Sequence, residues 1–163
     1  MPSPGGKDAI GYLLPADGNP GSLQITGYPT TEFYSDLGAL QGKRVVVFLD
    51  ACFSGPPGTR SAYNQVNNPC LLYPNLVCIS AAGNNQLSNP YNPEAHGLFT
   101  YFLLKGLSGD AWKGNRLMLS DLANYIQRNV SETARSLFGR DLQQTPTVSP
   151  GVDFGHDLVM KEK

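Results

Sequence analysis

The part of this chain best suited to chemistry is a cysteine set at the abrupt end of an apolar run. The run is Val45-Val46-Val47-Phe48-Leu49, and it stops at Asp50-Ala51-Cys52-Phe53-Ser54-Gly55. A nucleophilic thiol needs an exposed sulfur on a rigid support, with backbone N–H groups free to hold an oxyanion. Ala51, Ser54 and Gly55 leave room beside Cys52 for the backbone of a substrate. A cysteine after a strand, taken alone, reads as a small buried hydrophobe. The company of Cys52 is what favours a nucleophile.

Other chemistry is poorly supported. The two histidines are His96 and His156. His96 sits near a helix start, where the dipole disfavours its cation. His156 lies in a Gly-rich tail, Gly155-His156-Asp157, and reads as a solvated surface residue. Cys52, Cys70, Cys78 and His96 contain no C-x-x-C pair, so no metal site is expected, and no cofactor. Ser54 lacks the G-x-S-x-G surroundings of a serine nucleophile. Asp17 and Asp36 are too few and too separated for a calcium cluster.

The elements that must position Cys52 follow from periodicity. Val45 to Leu49 is β-branched and continuous rather than alternating, as in a parallel strand covered on both faces. Leu76-Val77-Cys78-Ile79-Ser80-Ala81 predicts a second such strand, after a Pro- and Asn-rich loop over 56–75. Pro29-Thr30-Thr31-Glu32 predicts a helix start, followed by Phe33, Leu37 and Leu40 at helical spacing. Gly97 to Leu107 is apolar nearly all round and predicts a buried helix. Ser120 is the expected N-cap of a helix running to about Phe138 with a core stripe of Leu122, Ile126, Val130, Ala134 and Leu137. Gly139 is its natural stop. The tail offers an edge strand at Leu158 to Met160.

This order is α/β. In such sheets ligands bind beyond the carboxyl ends of parallel strands, where Asp50, Cys52, Ser54 and Ser80 are expected to converge.

The bulk composition narrows the partners. A length of 163 residues, 40% hydrophobic and 15% charged, fits one globular domain spanning 1–163. A net charge of -1 with scattered Lys and Arg gives no field for nucleic acid or anionic membrane. The chain opens without an apolar leader, and its longest apolar stretch, Leu98 to Leu104, is too short to cross a bilayer. Three cysteines at irregular spacing make a poor disulfide framework and suit a reducing compartment. A cytoplasmic protein is expected, with Cys70 and Cys78 as loop and core residues.

Several segments together resemble the caspase-like cysteine peptidases, especially the metacaspase, paracaspase and bacterial branch. Asp50-Ala-Cys52-Phe-Ser-Gly55 after an apolar strand is similar to their nucleophile segment. Tyr12-Leu-Leu-Pro15 with Asp17 is similar to the stretch that follows their histidine. Ser80-Ala-Ala82 with Asn85-Gln86 resembles their next strand and its loop, and His96-Gly-Leu-Phe-Thr-Tyr101 the helix start after it. Gln144-Thr-Pro146 resembles their C-terminal signature.

The resemblance implies a three-layer caspase-haemoglobinase-like fold, mostly parallel and flanked by helices, incomplete at its N-terminus. It implies an endopeptidase in which Cys52 attacks the scissile carbonyl. The Cys52 N–H supplies one oxyanion donor, and a glycine beside the catalytic histidine supplies the other. Asp50, Ser80 and Ala81 line the substrate site. Caspases proper carry an uncharged glutamine two residues before the nucleophile. Here Asp50 holds that place, and a carboxylate in the primary pocket attracts Arg or Lys and repels acidic residues. The expected substrates are therefore peptides cleaved after basic residues, and Arg60 becomes a conceivable self-cleavage point beside its plainer reading as a surface arginine. The other reading of Asp50 is a structural carboxylate bonding loop amides at the strand end.

The family's base is a histidine roughly 50 residues before the cysteine, and no histidine precedes Cys52. The expected consequences are a chain inactive on its own, for want of the histidine base, and an apolar strand edge open to a missing N-terminal segment or to self-association. A non-catalytic binding module is the alternative.

Overall fold

A β-branched run without polar alternation has no face to offer water, so it must be covered on both sides. The computed structural model, which describes residues 11–41, 44–51, 69–83, 86–91, 96–150 and 158–162, shows that covering. In chain order the elements are β1 (Tyr12–Leu13), α1 (Leu23–Thr26), β2 (Tyr28–Pro29), α2 (Thr30–Gly38), β3 (Val45–Leu49), β4 (Leu76–Ser80), β5 (Pro90–Tyr91), β6 (His96–Gly97), α3 (Leu98–Lys105), β7 (Arg116–Met118), α4 (Leu119–Phe138), β8 (Thr147–Pro150) and β9 (Val159–Glu162). Strand β3 runs parallel to β4, from Val45 opposite Leu76 to Leu49 opposite Ser80. Strand β8 closes the other side of β4 antiparallel, with Ser80 opposite Thr147.

Strand alternation sorts the apolar side chains between two cores. Val46, Phe48, Val77 and Ile79 join Leu98, Phe99 and Phe102 of α3 and the Leu122, Ile126, Val130 and Ala134 stripe of α4. Val45, Val47, Leu76 and Cys78 meet Tyr34, Phe33 and Leu37 of α2 on the opposite face. The sheet is therefore the middle of three layers. Among the described residues β3 pairs with β4 and lies at the sheet's edge.

Four expectations need correction. Helix α4 starts at Leu119, and Ser120 lies inside it. The first amide of α4 is satisfied from elsewhere, by donation from Leu119 N to the Leu158 carbonyl at 2.9 Å. Leu137 is 57% exposed, because the last turn of α4 runs past the core. The following Gly139 ends the helix at φ 77°. The tail strand does not edge the main sheet. It pairs with β7 in a separate ribbon, with an Arg116–Glu162 ion pair at 3.0 Å, and among the described residues the main sheet's second edge, opposite β3, is β8.

The fourth correction concerns the cysteines. Cys70, in a short helical turn at Pro69–Leu72, and Cys78 are joined by a disulfide. Cys78 projects from β4 toward the α2 core, and Cys70 is buried against the same face. The odd count thus contains one pair plus Cys52, which lies outside the described residues.

The junction of α3 and α4 carries a titratable lock. The Tyr125 hydroxyl donates to Asp110 Oδ2 at 3.0 Å, and Lys105 Nζ lies 3.3 Å from the same oxygen. Burial, and then the bond to Asp110, push the Tyr125 phenol up to about 12. The bond from Tyr125, and then that from Lys105, hold the Asp110 carboxyl below its usual range.

Two predictions follow from this packing. Thiol titration of the unreduced, denatured protein should find one free thiol among three cysteines. Reduction, or Cys70→Ala, should lower stability by about 2.5 kcal/mol for so short a loop. Because folding favours the protonated phenol of Tyr125, its contribution is complete below pH 10 and is lost as pH rises from 10 to about 12. A spectrophotometric tyrosine titration should show a late-ionising phenol that Tyr125→Phe removes.

Candidate active site

Helix α3 begins without a cap of its own, since Gly97 stands at the N-cap and carries no side chain. The orphan amides of a first turn must find acceptors. Leu98 N donates to the Asn89 carbonyl at 2.9 Å. Thr100 N donates to Asp50 Oδ2 at 3.3 Å, and Thr100 Oγ1 donates to the same oxygen at 2.5 Å. Ser88 Oγ donates to Asp50 Oδ1 at 2.6 Å. Asp50, immediately beyond β3, is thus a helix cap supplied from another element. A carboxylate is electrostatically welcome at a helix N-terminus. The absence of a side chain at Gly97 is required here, because a Cβ there would stand 2.5 Å from Asp50 Oδ2.

Alternation explains why Asp50 reaches α3. Val46 and Phe48 face the α3–α4 core, and Asp50 continues that parity. Ser80 does not join it. Its register partner is Leu49, so alternation directs Ser80 to the α2 face. Ala81 has the parity of Asp50, but it is fully buried. Its N–H donates to the Leu49 carbonyl at 2.9 Å, and its carbonyl accepts from Gln144 Nε2 at 2.9 Å. The side chain of Ala81, expected to line the substrate site, is thus packed in the core while its backbone ties β4 to β3 and to Gln144. Cys52, Ser54 and His156 lie outside the described residues. His96 is exposed on β6, opposite Tyr91 and next to Gly97.

A buried polar network, which spacing did not reveal, holds Ser88 in place. Gln144 is 1% exposed. Its Oε1 accepts from Asn89 N at 2.8 Å, and its Nε2 donates to the Ala81 carbonyl and, at 3.4 Å, to Ser88 Oγ. Asn89 Nδ2 donates to the Leu142 carbonyl at 3.1 Å. Gln86 Oε1 accepts from Gly83 N at 3.2 Å and from Thr145 N at 2.7 Å. Gln144-Thr145-Pro146 therefore laces the 86–89 segment to the end of β4. Ser88 and Thr100 carried no sequence signal of their own. Each lies tens of residues from Asp50, and only the fold brings the three together.

No group of metal-ligating side chains occurs among the described residues. The arrangement does present an exposed, fixed carboxylate at the carboxyl end of a parallel strand, two residues before a cysteine.

The caspase-domain family model matches residues 6–152. The chain belongs to the caspase-domain family of peptidases, and its helix-flanked mixed sheet is the caspase-haemoglobinase fold. Members of that family act on protein substrates. No curated protein matches the chain.

Replacing Gln144 with Ala strands the Asn89 amide and the Ala81 carbonyl in a buried setting. The expected cost is about 2–3 kcal/mol, measured by denaturant unfolding. Gln144→Glu should also destabilise, because the donor to Ala81 is lost.

Proposed function

We propose that the chain is the nucleophile-bearing part of a cysteine endopeptidase that cleaves after Arg or Lys, in the manner of the metacaspase branch. Cys52 attacks the scissile carbonyl, its own N–H helps hold the oxyanion, and Asp50 receives the basic side chain before the cleaved bond. The observation that carries this reading is the Asp50 carboxylate, clamped by Ser88 and Thr100 yet exposed at the end of β3. A carboxylate fixed in place loses little freedom on meeting a cation, so the ion pair contributes more than two mobile surface charges would. Capping of α3 and recognition of substrate are compatible, because capping uses only part of the acceptor capacity.

Peptide hydrolysis also needs a proton acceptor for the thiol and a donor for the leaving amine. No histidine precedes Cys52 in this sequence. The chain alone is therefore expected not to turn over peptides, since its thiol has only the few per cent of thiolate present near neutral pH and no partner to protonate the leaving amine. Among the described residues β3 pairs on one side only, and a segment bearing the base would add to the other. A binding module without catalysis is the competing reading.

A probe that needs no leaving-group proton separates these readings. Peptidyl acyloxymethyl ketones alkylate a thiolate and expel a carboxylate, which leaves without protonation. Cys52 should be labelled faster by the Arg-ended reagent than by Leu- or Asp-ended ones, and Cys52→Ser should abolish labelling. Asp50→Asn should reduce the preference for Arg over Leu by about 10- to 100-fold, the value of a hydrogen-bonded charge. Equal labelling by all three reagents favours the binding module.

A further inference from the structure

The clamp on Asp50 treats its two oxygens differently. An ionised carboxylate has about four acceptor positions, two per oxygen. Oδ2 receives two donors, Thr100 Oγ1 at 2.5 Å and Thr100 N at 3.3 Å. Gly97 packs against that oxygen, and a Cβ added there would stand 2.5 Å from Oδ2 and 3.4 Å from Oδ1. Among the described residues Oδ1 receives one donor, Ser88 Oγ at 2.6 Å, which leaves it one position. Asp50 itself is an exposed residue. A guanidinium fork engages a carboxylate best when both oxygens are free along one edge. An ammonium is a point charge and needs only one.

We infer that Thr100 is a specificity-positioning residue: by occupying Oδ2 it makes Asp50 meet a basic side chain through Oδ1 alone, so that the site accepts Lys and Arg almost equally. The inference rests on Asp50 serving as the basic-residue acceptor, and it adds how the acceptor is presented and which residue fixes it. Ser88, braced by Gln144, holds the carboxylate plane from the other side. Removing the Thr100 hydroxyl frees the carboxylate to turn and offer both oxygens, a gain open to Arg and closed to Lys.

The test is the ratio of Cys52 labelling rates with Arg- and Lys-ended acyloxymethyl ketones of otherwise identical sequence. In the unmodified chain the ratio should lie within about threefold of unity, since a fork-to-fork advantage is missing. Thr100→Val should raise it by about tenfold, and Thr100→Ser should restore it, because serine returns the hydroxyl to Oδ2. Ser88→Ala should leave it within about threefold, since Oδ2 stays occupied. An unmodified ratio above about tenfold, which would indicate a two-oxygen contact, overturns the inference even if Thr100→Val fails to fold. An unchanged ratio in folded Thr100→Val also overturns it. In both cases the preference for basic over Leu-ended reagents persists, so only the presentation of Asp50 is wrong. Loss of that basic preference in the unmodified chain defeats the reading of Asp50 as acceptor and this inference together.

Discussion

The site is organised by a negative charge placed against the first turn of a helix that cannot cap itself. Helix α3 starts at a glycine, so its amides depend on acceptors from other parts of the chain. The Asn89 carbonyl and the Asp50 carboxylate meet that need. In doing so they tie the carboxyl end of β3, the 86–89 segment and α3 into one corner. Asp50 stays exposed, and the Thr100 amide with the Thr100 and Ser88 hydroxyls fixes where its carboxylate points. On the proposed reading, such a polar corner serves structure and recognition with the same atoms.

Support for the corner extends well beyond it. Gln144 is buried and bonded on both ends of its amide, and those partners fix which end is oxygen. Through Ser88 it reaches Asp50, and through Ala81 it reaches the end of β4. The short segment around Gln144-Thr145-Pro146 therefore matters for where it sits, without needing to touch substrate. The strand that follows it, β8, completes the sheet on the side away from β3.

How much of this was legible in the sequence depended on whether a signal was local. The β3 and β4 strands announced themselves because a short β-branched run apolar on both faces suits a strand covered on both sides, and the two cores on either side take Val45 to Phe48 and Leu76 to Ile79 in alternation. The α4 stripe and Gly139 were equally readable, since a 20-residue helix has room for its period to show. Strand β8 was missed because Thr147–Pro150 is short and ends in proline, a composition that suits an edge and a loop alike. The start of α4 was misplaced because its cap is a backbone carbonyl from the tail, and the sequence does not mark which carbonyl that is. The Cys70–Cys78 pairing depended on a turn folding over β4, and spacing alone could not foresee it. At the site, Cys52 and Asp50 stood out from their neighbours, while Ser88 and Thr100 became meaningful only through contacts across 38 and 50 residues.

The central claim is that the carboxylate at the end of β3 receives the basic side chain of a substrate whose carbonyl meets Cys52. The structure of Cys52 alkylated by an arginine-ended peptidyl ketone tests it most directly. The account predicts the guanidinium at hydrogen-bond distance, about 2.7–2.9 Å, from Asp50 Oδ1, with Ser88 and Thr100 still on the carboxylate. A thioether at Cys52 with the arginine side chain turned away from Asp50, or seated on another acidic residue, would contradict it.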